Sequence, residues 1–247
     1  MSAIRKGITV RQLVVERPET RPALEELGID YCCGGADLLE DATKAAGRTW
    51  EELERSVESA VGASAGAPPE RNWAAASAGE LARHILETHH VFMKRELPRL
   101  RSLLDKALSA HEERHGPMLR ELLSTFNGLR EEIEAHLYKE EEILFPYILA
   151  LDAWRPGQGP APASHCGTVA NPVRQMEHEH DNAGRALAKF REITSGYALP
   201  ADACATFAAL YEGLQALERD LHEHIHLENN ILFPKSLELE EAVQSRG

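Results

Sequence analysis

The stretch His136-Leu-Tyr-Lys-Glu-Glu-Glu-Ile-Leu-Phe-Pro146 returns later in the chain as His224-Ile-His-Leu-Glu-Asn-Asn-Ile-Leu-Phe-Pro234. Both copies share the pattern H-x-x-x-E-x-x-I-L-F-P. Residues four apart on an α-helix lie about one turn apart on the same face. Each copy therefore presents an imidazole and a carboxylate to one point in space, and two such helices facing each other in a bundle could hold a pair of metal ions.

The composition indicates a globular protein. Of the 247 residues, 43% are hydrophobic and 27% are charged, and the formal net charge is −13. This charge argues against a nucleic-acid or anionic-membrane partner. The sequence contains no apolar run long enough to span a membrane and no apolar core of a signal peptide. Four cysteines at this length do not read as a disulfide framework, so we expect a cytoplasmic protein.

Helix and turn signals divide the chain into three parts. Residues 1–62 are predicted to form a small helical N-terminal domain, with the adjacent Cys32 and Cys33 in a glycine-rich loop. Residues 63–76, rich in small residues and proline, are predicted to be a linker. Residues 77–247 are predicted to form four long helices, with a turn over 109–117, a loop over 155–172 and a turn just before Pro200. The predicted fold is all-α, with an antiparallel four-helix bundle.

Each predicted bundle helix carries apolar residues at alternating spacings of three and four, and one histidine interrupts each stripe. The stripes are Leu86, His90, Met93, Leu97, Leu100 and Leu104; Leu122, Phe126, Leu129, Ile133, His136, Glu140 and Ile143; Met176, His180, Ala183, Leu187 and Phe190; and Leu210, Leu214, Leu217, Leu221, His224, Glu228 and Ile231. Counted from the first turn at the helical rise, His90 and His136 both lie about 30 Å away. They are therefore expected to face each other.

Six polar residues are thus predicted to converge in an apolar bundle: His90, His136, Glu140, His180, His224 and Glu228. A single core histidine is more often hydrogen-bonded than bound to a metal. Two buried carboxylates without partners, however, would be costly, and cations offset that cost. Mixed nitrogen and oxygen ligands suit two iron or manganese ions better than zinc.

Other candidate residues lie off the stripes. Seven histidines are expected to be solvated or to support the ligands: His84, His89, His115, His165, His178, His222 and His226. Glu141 and Glu142 lie beside the repeated motif but off the stripe, and they are not predicted as ligands. His111 continues the first stripe about 31 Å beyond His90. We predict that it is an inward polar residue at the end of the bundle, and the alternative is a metal ligand brought in by a break in the helix. Cys166 and Cys204 have no predicted role.

Five motifs carry a family resemblance: Gly28-Ile-Asp-Tyr-Cys-Cys-Gly-Gly35, His84-Ile with His89-His90 and Glu96-Leu-Pro98, His136-Leu-Tyr-Lys-Glu-Glu, Met176-Glu-His-Glu-His-Asp-Asn-Ala-Gly184, and His224 with Leu-Glu-Asn-Asn-Ile-Leu-Phe-Pro234. The chain resembles the hemerythrin-like bundles, and within them the repair of iron centres family, over almost its whole length. The resemblance implies two iron ions with oxo or hydroxo and carboxylate bridges. His90, His136, His180 and His224 would be terminal ligands, and Glu140 and Glu228 would be bridges.

The family also favours a histidine at position 111. Met176 stands where erythrocyte-type hemerythrins have a second histidine, four residues from His180. Fewer histidine ligands leave more open coordination positions, which favours reactivity over reversible O₂ carriage.

The resemblance further implies a protein of nitrosative and oxidative stress that helps repair damaged iron–sulfur clusters by donating iron. Its partners would be damaged iron–sulfur proteins and the gases NO and O₂, and a homo-oligomer is compatible with the sequence. One alternative is an enzyme that reduces NO to N₂O, with Cys32 and Cys33 supplying electrons. Another is a sensor or carrier of O₂ or NO. The pair Cys32 and Cys33 is itself a candidate for redox chemistry or iron transfer, as two thiols that ligate or reduce something, and the alternative is a plain turn of small residues.

Overall fold

The computed structural model describes residues 4–64, 71–155 and 159–245. Residues 65–70 of the predicted linker lie outside these ranges. The chain divides into two compact units. The first unit is Met1–Ser77 with Ile225–Lys235, and the second is Ala78–His224 with Ser236–Gly247.

The first unit contains four short helices: α1 (Val10–Glu16), α2 (Arg21–Leu27), α3 (Leu39–Ala45) and α4 (Trp50–Ser64). Thr9 and Gln12 form a capping box at the start of α1. Thr49 and Glu52 form another at α4, where the Glu52 amide donates to Thr49 Oγ1 at 3.2 Å and the Thr49 amide donates to Glu52 Oε2 at 2.7 Å. These caps satisfy amide groups that the first helical turn leaves without partners. The small helical N-terminal region expected from the sequence is confirmed.

The second unit contains α5 (Ala78–Ile85), α6 (Val91–Lys139), α7 (Phe145–Ala153) and α8 (Ala170–Ile193). It also holds most of α9 (Ala205–Leu227) and of α10 (Phe233–Gln244). π-Helical turns over Leu86–His90, Glu140–Leu144 and Glu228–Leu232 connect α5 to α6, α6 to α7 and α9 to α10. Helix α5 packs against α7, and α6 packs against α8. The predicted antiparallel four-helix bundle is confirmed.

The fourth bundle helix begins later than predicted, at Ala205 rather than Pro200. It packs closely on the first, because a Cβ atom added to Gly213 would lie 2.6 Å from Leu100. In α10, the buried Glu240 accepts hydrogen bonds from the Tyr147 hydroxyl at 2.6 Å and from the Val169 amide at 2.9 Å. Across the described residues, no helix combines the length and the apolar character needed to cross a membrane.

The chain reverses direction within the predicted turn over residues 109–117, since Lys94 contacts Glu141 and Arg101 contacts Asn127, but the turn is far shorter than predicted. Helix α6 therefore contains parts of the first two bundle helices. Only His111 leaves the helical region, with φ −123° and ψ 21°, and the chain is helical on both sides of it. Gly116 and Pro117 led to the prediction of a loop, but they lie within the first two turns after this bend. Pro117 is the sixth residue after the bend, so the helix continues through it without the one hydrogen bond that its missing amide would have made.

The π-helical turns explain another departure from the predicted stripes. Pro146 and Pro234 lie shortly after two of these turns, and a proline ring disturbs the carbonyl four residues before it. A π-turn takes one extra residue into the helix and so rotates the residues on its C-terminal side. Ile143, predicted to lie in the core, is therefore 42% exposed, whereas Leu144 and Phe145 are buried.

Candidate metal centre

Five of the six predicted ligands lie in the second unit. His90 ends the first π-turn, His136 lies near the end of α6, and Glu140 opens the next π-turn. His180 lies in the middle of α8, and His224 lies near the end of α9. All five side chains are buried, and Glu140 has no exposed surface. Four helices thus each bring a histidine into the bundle interior, as the stripes predicted.

Glu140 lies at the centre of this group. Its Oε2 atom is 3.3 Å from His90 Nε2, 3.3 Å from His136 Nε2 and 3.8 Å from His224 Nε2. The Nε2 atoms of His136 and His180 are 3.3 Å apart. Ring nitrogens and a carboxylate so close together in an apolar core form a ready set of metal donors.

The donors separate into two groups, and both groups include Glu140. His90, Glu140 and His224 form the first, and His136, Glu140 and His180 form the second. Within each group the candidate ligand atoms lie within 4.8 Å of one another. Imidazole nitrogens and carboxylate oxygens with no thiolate fit a pair of first-row transition-metal ions. The residues therefore fit the metal pair that the sequence predicts.

Glu228 belongs to the segment Ile225–Lys235 of the first unit, where it is fully buried. It opens the third π-turn, directly after α9 ends at Leu227. The chain stays helical from His224 to Glu228, so the two residues keep the one-turn spacing that His136 and Glu140 also have.

Two carboxylates lie beside the outer ring nitrogens of two predicted ligands, His90 and His136, and orient their rings. Glu141 Oε1 is 2.8 Å from His90 Nδ1, and Glu179 Oε2 is 2.9 Å from His136 Nδ1. Because Nδ1 of each ring faces a carboxylate, Nε2 is the nitrogen that points toward Glu140. Lys94 donates to Glu141 at 2.7 Å, and Lys139 and Gln175 donate to Glu179.

These contacts outweigh burial in setting the charge of both carboxyl groups. Burial raises the pKa of Glu179, but hydrogen bonds from His136, Lys139 and Gln175 lower it to about 2. Burial also raises the pKa of Glu141, yet hydrogen bonds from Lys94 and His90 leave it below its ordinary value. Both groups are therefore carboxylates at neutral pH.

Sequence reasoning missed Glu179, and it set Glu141 aside because Glu141 lies off the stripe. Each is next to a predicted ligand, and the only indication in the sequence is the general need of a ligating histidine for an acceptor at its second nitrogen. His89 is likewise buried rather than solvated: its Nδ1 is 3.0 Å from Asp220 Oδ1, and its ring stacks on that of His224 at 5.7 Å.

The cysteine pair lies in a tight loop of the first unit. Asp30 Oδ1 accepts hydrogen bonds from the amides of Cys32 and Cys33, both at 2.9 Å, and from the Cys32 thiol at 3.2 Å. The two sulfur atoms are 3.9 Å apart. The contact with Cys33, burial and the nearby Asp30 carboxylate raise the pKa of Cys32 well above its usual value. Cys32 is therefore a protonated thiol at neutral pH.

The cysteine loop is fastened to the turn that begins at Glu228. The Asn229 side-chain amide donates to the Cys32 carbonyl at 3.2 Å, and that of Asn230 donates to the Tyr31 carbonyl at 2.9 Å. A Cβ atom at Gly35 would clash with the Asn230 side-chain amide, so glycine lets Asn230 approach the loop in this position. The sequence contained both segments but gave no indication that they meet.

His111 lies at the bend in α6, away from both ligand groups. Its ring packs against Phe207 at 5.3 Å and lies 5.9 Å from the ring of His115. The break that could have made it a ligand is present, but it occurs at the end of the bundle. The exposed Cys204 lies beside it, and a hydrogen bond with His111, helped by the backbone amides of Phe207 and Thr206, lowers the thiol pKa to about 7.

Comparison with known proteins agrees with this architecture. Residues 81–236 match the hemerythrin HHE cation binding domain, and residues 7–61 match ScdA_N, a domain of unknown function. The chain is 34% identical over 230 residues to the iron-sulfur cluster repair protein YtfE of Pectobacterium carotovorum, which covers 92% of this chain and 95% of that protein. It is 35% identical over 226 residues to YtfE of Cronobacter sakazakii, covering 92% and 94%.

A probable iron-sulfur cluster repair protein of Haemophilus influenzae is 33% identical over 226 residues, covering 92% of this chain and 95% of that protein. The alignments span both the cysteine-bearing region and the bundle. The resemblance inferred from the motifs is confirmed, and the chain belongs to the repair of iron centres family of hemerythrin-like proteins.

Proposed function

We propose that this protein is a non-haem di-iron protein that helps repair damaged iron–sulfur clusters by donating iron. One observation carries the proposal: the fully buried Glu140 lies within 3.3 to 3.8 Å of histidine nitrogens from both ligand groups. A carboxylate in that position can bridge two ions. The names of the related proteins, which are iron-sulfur cluster repair proteins, support the same function.

The proposed ligand set has four terminal histidines and two shared carboxylates. His90 and His224 would hold one iron, His136 and His180 would hold the other, and Glu140 would bridge them. Glu228 is proposed as the second bridge, since it is fully buried and lies after His224 at the spacing that separates Glu140 from His136.

These residues would hold two iron ions, which would supply redox-active metal that can be released. The chain's own residues account for both the holding and the release. Glu141 and Glu179 fix the Nδ1–H groups of His90 and His136, which keeps the Nε2 lone pairs directed inward. A bridging carboxylate divides its negative charge between two ions. It therefore neutralises less of the charge of each ion than a carboxylate bound to that ion alone. Protonation or displacement of a single bridging carboxylate would therefore weaken the binding of both ions.

Cys32 and Cys33 are proposed to assist the transfer of iron. Their loop is fastened through Asn229 and Asn230 to the turn that begins at Glu228. Cys33 is partly exposed, so its thiol is the member of the pair that an incoming iron ion or reductant would meet first. All four cysteines are free, which is consistent with the proposed location in a reducing cytoplasm. The proposed partners are damaged iron–sulfur proteins, with NO and O₂ as small ligands.

The test is reactivation of a purified dehydratase whose exposed iron–sulfur cluster has been damaged by NO. Iron-loaded wild-type protein should restore activity and lose iron in proportion. Glu140→Leu and Glu228→Leu should lower the iron content or abolish the magnetic coupling seen by Mössbauer spectroscopy, and should restore little activity. The exposed Glu142 on the same π-turn gives the control Glu142→Gln, which should behave as wild type.

Two results would overturn the proposal. One is unchanged Mössbauer spectra in both leucine variants, which would refute the bridging assignment. The other is N₂O released from the diferrous protein under anaerobic NO with no iron delivered to the dehydratase, which would favour NO reduction.

A further inference from the structure

A second cluster of metal-binding side chains lies at the bend of α6. His111 is 21 residues from His90, which corresponds to about 31 Å along the helix. The cluster is therefore separate from the di-iron centre. His111 is the residue at the bend, and His115 follows it by four residues. Asp202 lies on the turn before α9. The candidate ligand atoms of these three residues lie within 4.8 Å of one another.

The three side chains are held in place by their neighbours. His115 Nε2 is 2.9 Å from Asp202 Oδ1, and Arg114 Nη1 donates to the other oxygen, Oδ2, at 2.9 Å. Phe207 supports both imidazoles, with centroid distances of 5.3 Å to His111 and 5.7 Å to His115. The carboxylate and both rings thus have defined positions although the cluster is near the surface.

His111 has a donor atom that the protein does not use. Its Nε2 atom is shielded from solvent, and no nitrogen or oxygen atom lies within hydrogen-bonding distance in the described residues. Cys204, one residue before α9, lies outside this group of three, but it is near enough to the His111 ring for that ring to lower the thiol pKa to about 7. A pocket lined by His111, Glu112, Glu113 and Asp202 gives access to the cluster from solvent. The two glutamates add acidic groups to its wall.

We propose that His111, His115, Asp202 and Cys204 form a second metal site, which binds one divalent ion of the zinc class. Two imidazoles, one carboxylate and one thiolate are the ligand types of four-coordinate zinc sites. On binding, the ion displaces the proton that lies between His115 and Asp202, and both this proton and that of the Cys204 thiol pass to the solvent. The ion joins the bend between the first two bundle helices to the start of the fourth.

The test uses the iron-loaded protein, so that the di-iron centre cannot take up the added ion. Zinc should bind at about one further ion per chain, and cobalt(II) used in its place should show a sulfur-to-metal charge-transfer band. His115→Gln and Asp202→Asn should each weaken zinc binding at least about tenfold. Cys204→Ser should abolish the charge-transfer band. The matched controls are Cys166→Ser and His165→Gln, both in the exposed loop before α8 and expected to bind zinc and cobalt as wild type does.

Iron content and circular dichroism of each variant show whether the bundle is intact. Zinc should also raise the unfolding temperature of the wild type but not of Asp202→Asn. The proposal is wrong if the iron-loaded protein takes up no further zinc, or if His115→Gln and Asp202→Asn bind it as tightly as wild type. These outcomes do not depend on cluster repair, so either proposal can fail without the other.

Discussion

The two copies of H-x-x-x-E-x-x-I-L-F-P adopt the same backbone but lie in different surroundings. Both pass from α-helix into a π-turn that begins at the glutamate, Glu140 in one and Glu228 in the other. The first copy is partly exposed: Tyr138 has 65% of its surface accessible and Ile143 has 42%. At the equivalent positions of the second copy, His226 is 2% exposed and Ile231 is 7% exposed.

The residues after each glutamate reflect this difference. Glu141 and Glu142 come after Glu140, whereas Asn229 and Asn230 come after Glu228. In the first copy a carboxylate can stay charged, because it receives hydrogen bonds from Lys94 and His90 while it remains partly exposed. In the buried second copy a charge would be costly, and an amide is neutral and can donate to a backbone carbonyl.

The same local structure therefore serves two purposes. The π-turn of the first copy places the Glu141 carboxylate at Nδ1 of His90, a proposed ligand. The second π-turn holds the cysteine loop through its two asparagines. The histidine and glutamate determine where a metal can bind, and the two residues after the glutamate determine what the turn is attached to.

The largest effect should come from making the first copy resemble the second. In Glu141→Asn the shorter, neutral side chain cannot accept from both His90 and Lys94, so His90 loses the partner that orients its ring. Loss of such a partner typically weakens metal binding about 10- to 100-fold. Competition with a chelator measures the change. Glu142→Asn, at the neighbouring exposed position, should have no effect, and equal affinities for Glu141→Asn and wild type would refute an orienting role.

The second prediction concerns the buried His226. Burial, and then the charge of Arg21, lower the pKa of His226 to about 3 from a reference of 6.5. Asn230 Nδ2 lies 3.0 Å from its Nδ1, which suits a neutral ring. Below pH 6.5 the unfolded chain binds a proton at this site that the folded protein does not. Folding should therefore lose stability as the pH falls, by about 2 kcal/mol between pH 6.5 and pH 5.

Urea unfolding at several pH values measures this loss. His226→Gln should have a smaller pH slope than wild type at equal metal loading, whatever its absolute stability. His178→Gln, a change at an exposed histidine of α8, should keep the wild-type slope. If His226→Gln and wild type have parallel pH profiles, His226 does not stay neutral in the folded protein.

The sequence predicted the bundle and the burial of one histidine on each stripe, because both depend on helical periodicity. His90, His136, His180 and His224 interrupt stripes that are otherwise apolar, and all four are buried where the stripes meet. Features that depend on contacts between distant parts of the chain could not be predicted in this way. The sequence indicates neither that Asn229 reaches the Cys32 carbonyl nor that Glu179 accepts from His136.

The stripes failed where the helical period itself changed. A pattern with spacings of three and four assumes an unbroken α-helix, so it placed Leu86 and Ile143 in the core. Leu86 lies within the first π-turn and is only half-buried, and Ile143 lies within the second and is exposed. Two of the π-turns begin with a glutamate, and a proline lies two residues after each of them. This proline is the one local indication in the sequence that the helical period changes, since it disturbs the helical hydrogen bonds just before it.

The smallest effect should distinguish the two equivalent isoleucines. Ile231→Val removes one methylene from a buried side chain and should lower the free energy of unfolding by about 1 kcal/mol. Ile143→Val makes the same change at a side chain with 42% of its surface exposed, and it should lie within about 0.5 kcal/mol of wild type. Chemical denaturation of both variants measures the difference. Equal losses would mean that the π-turn does not rotate Ile143 out of the core, and that the two copies pack alike after all.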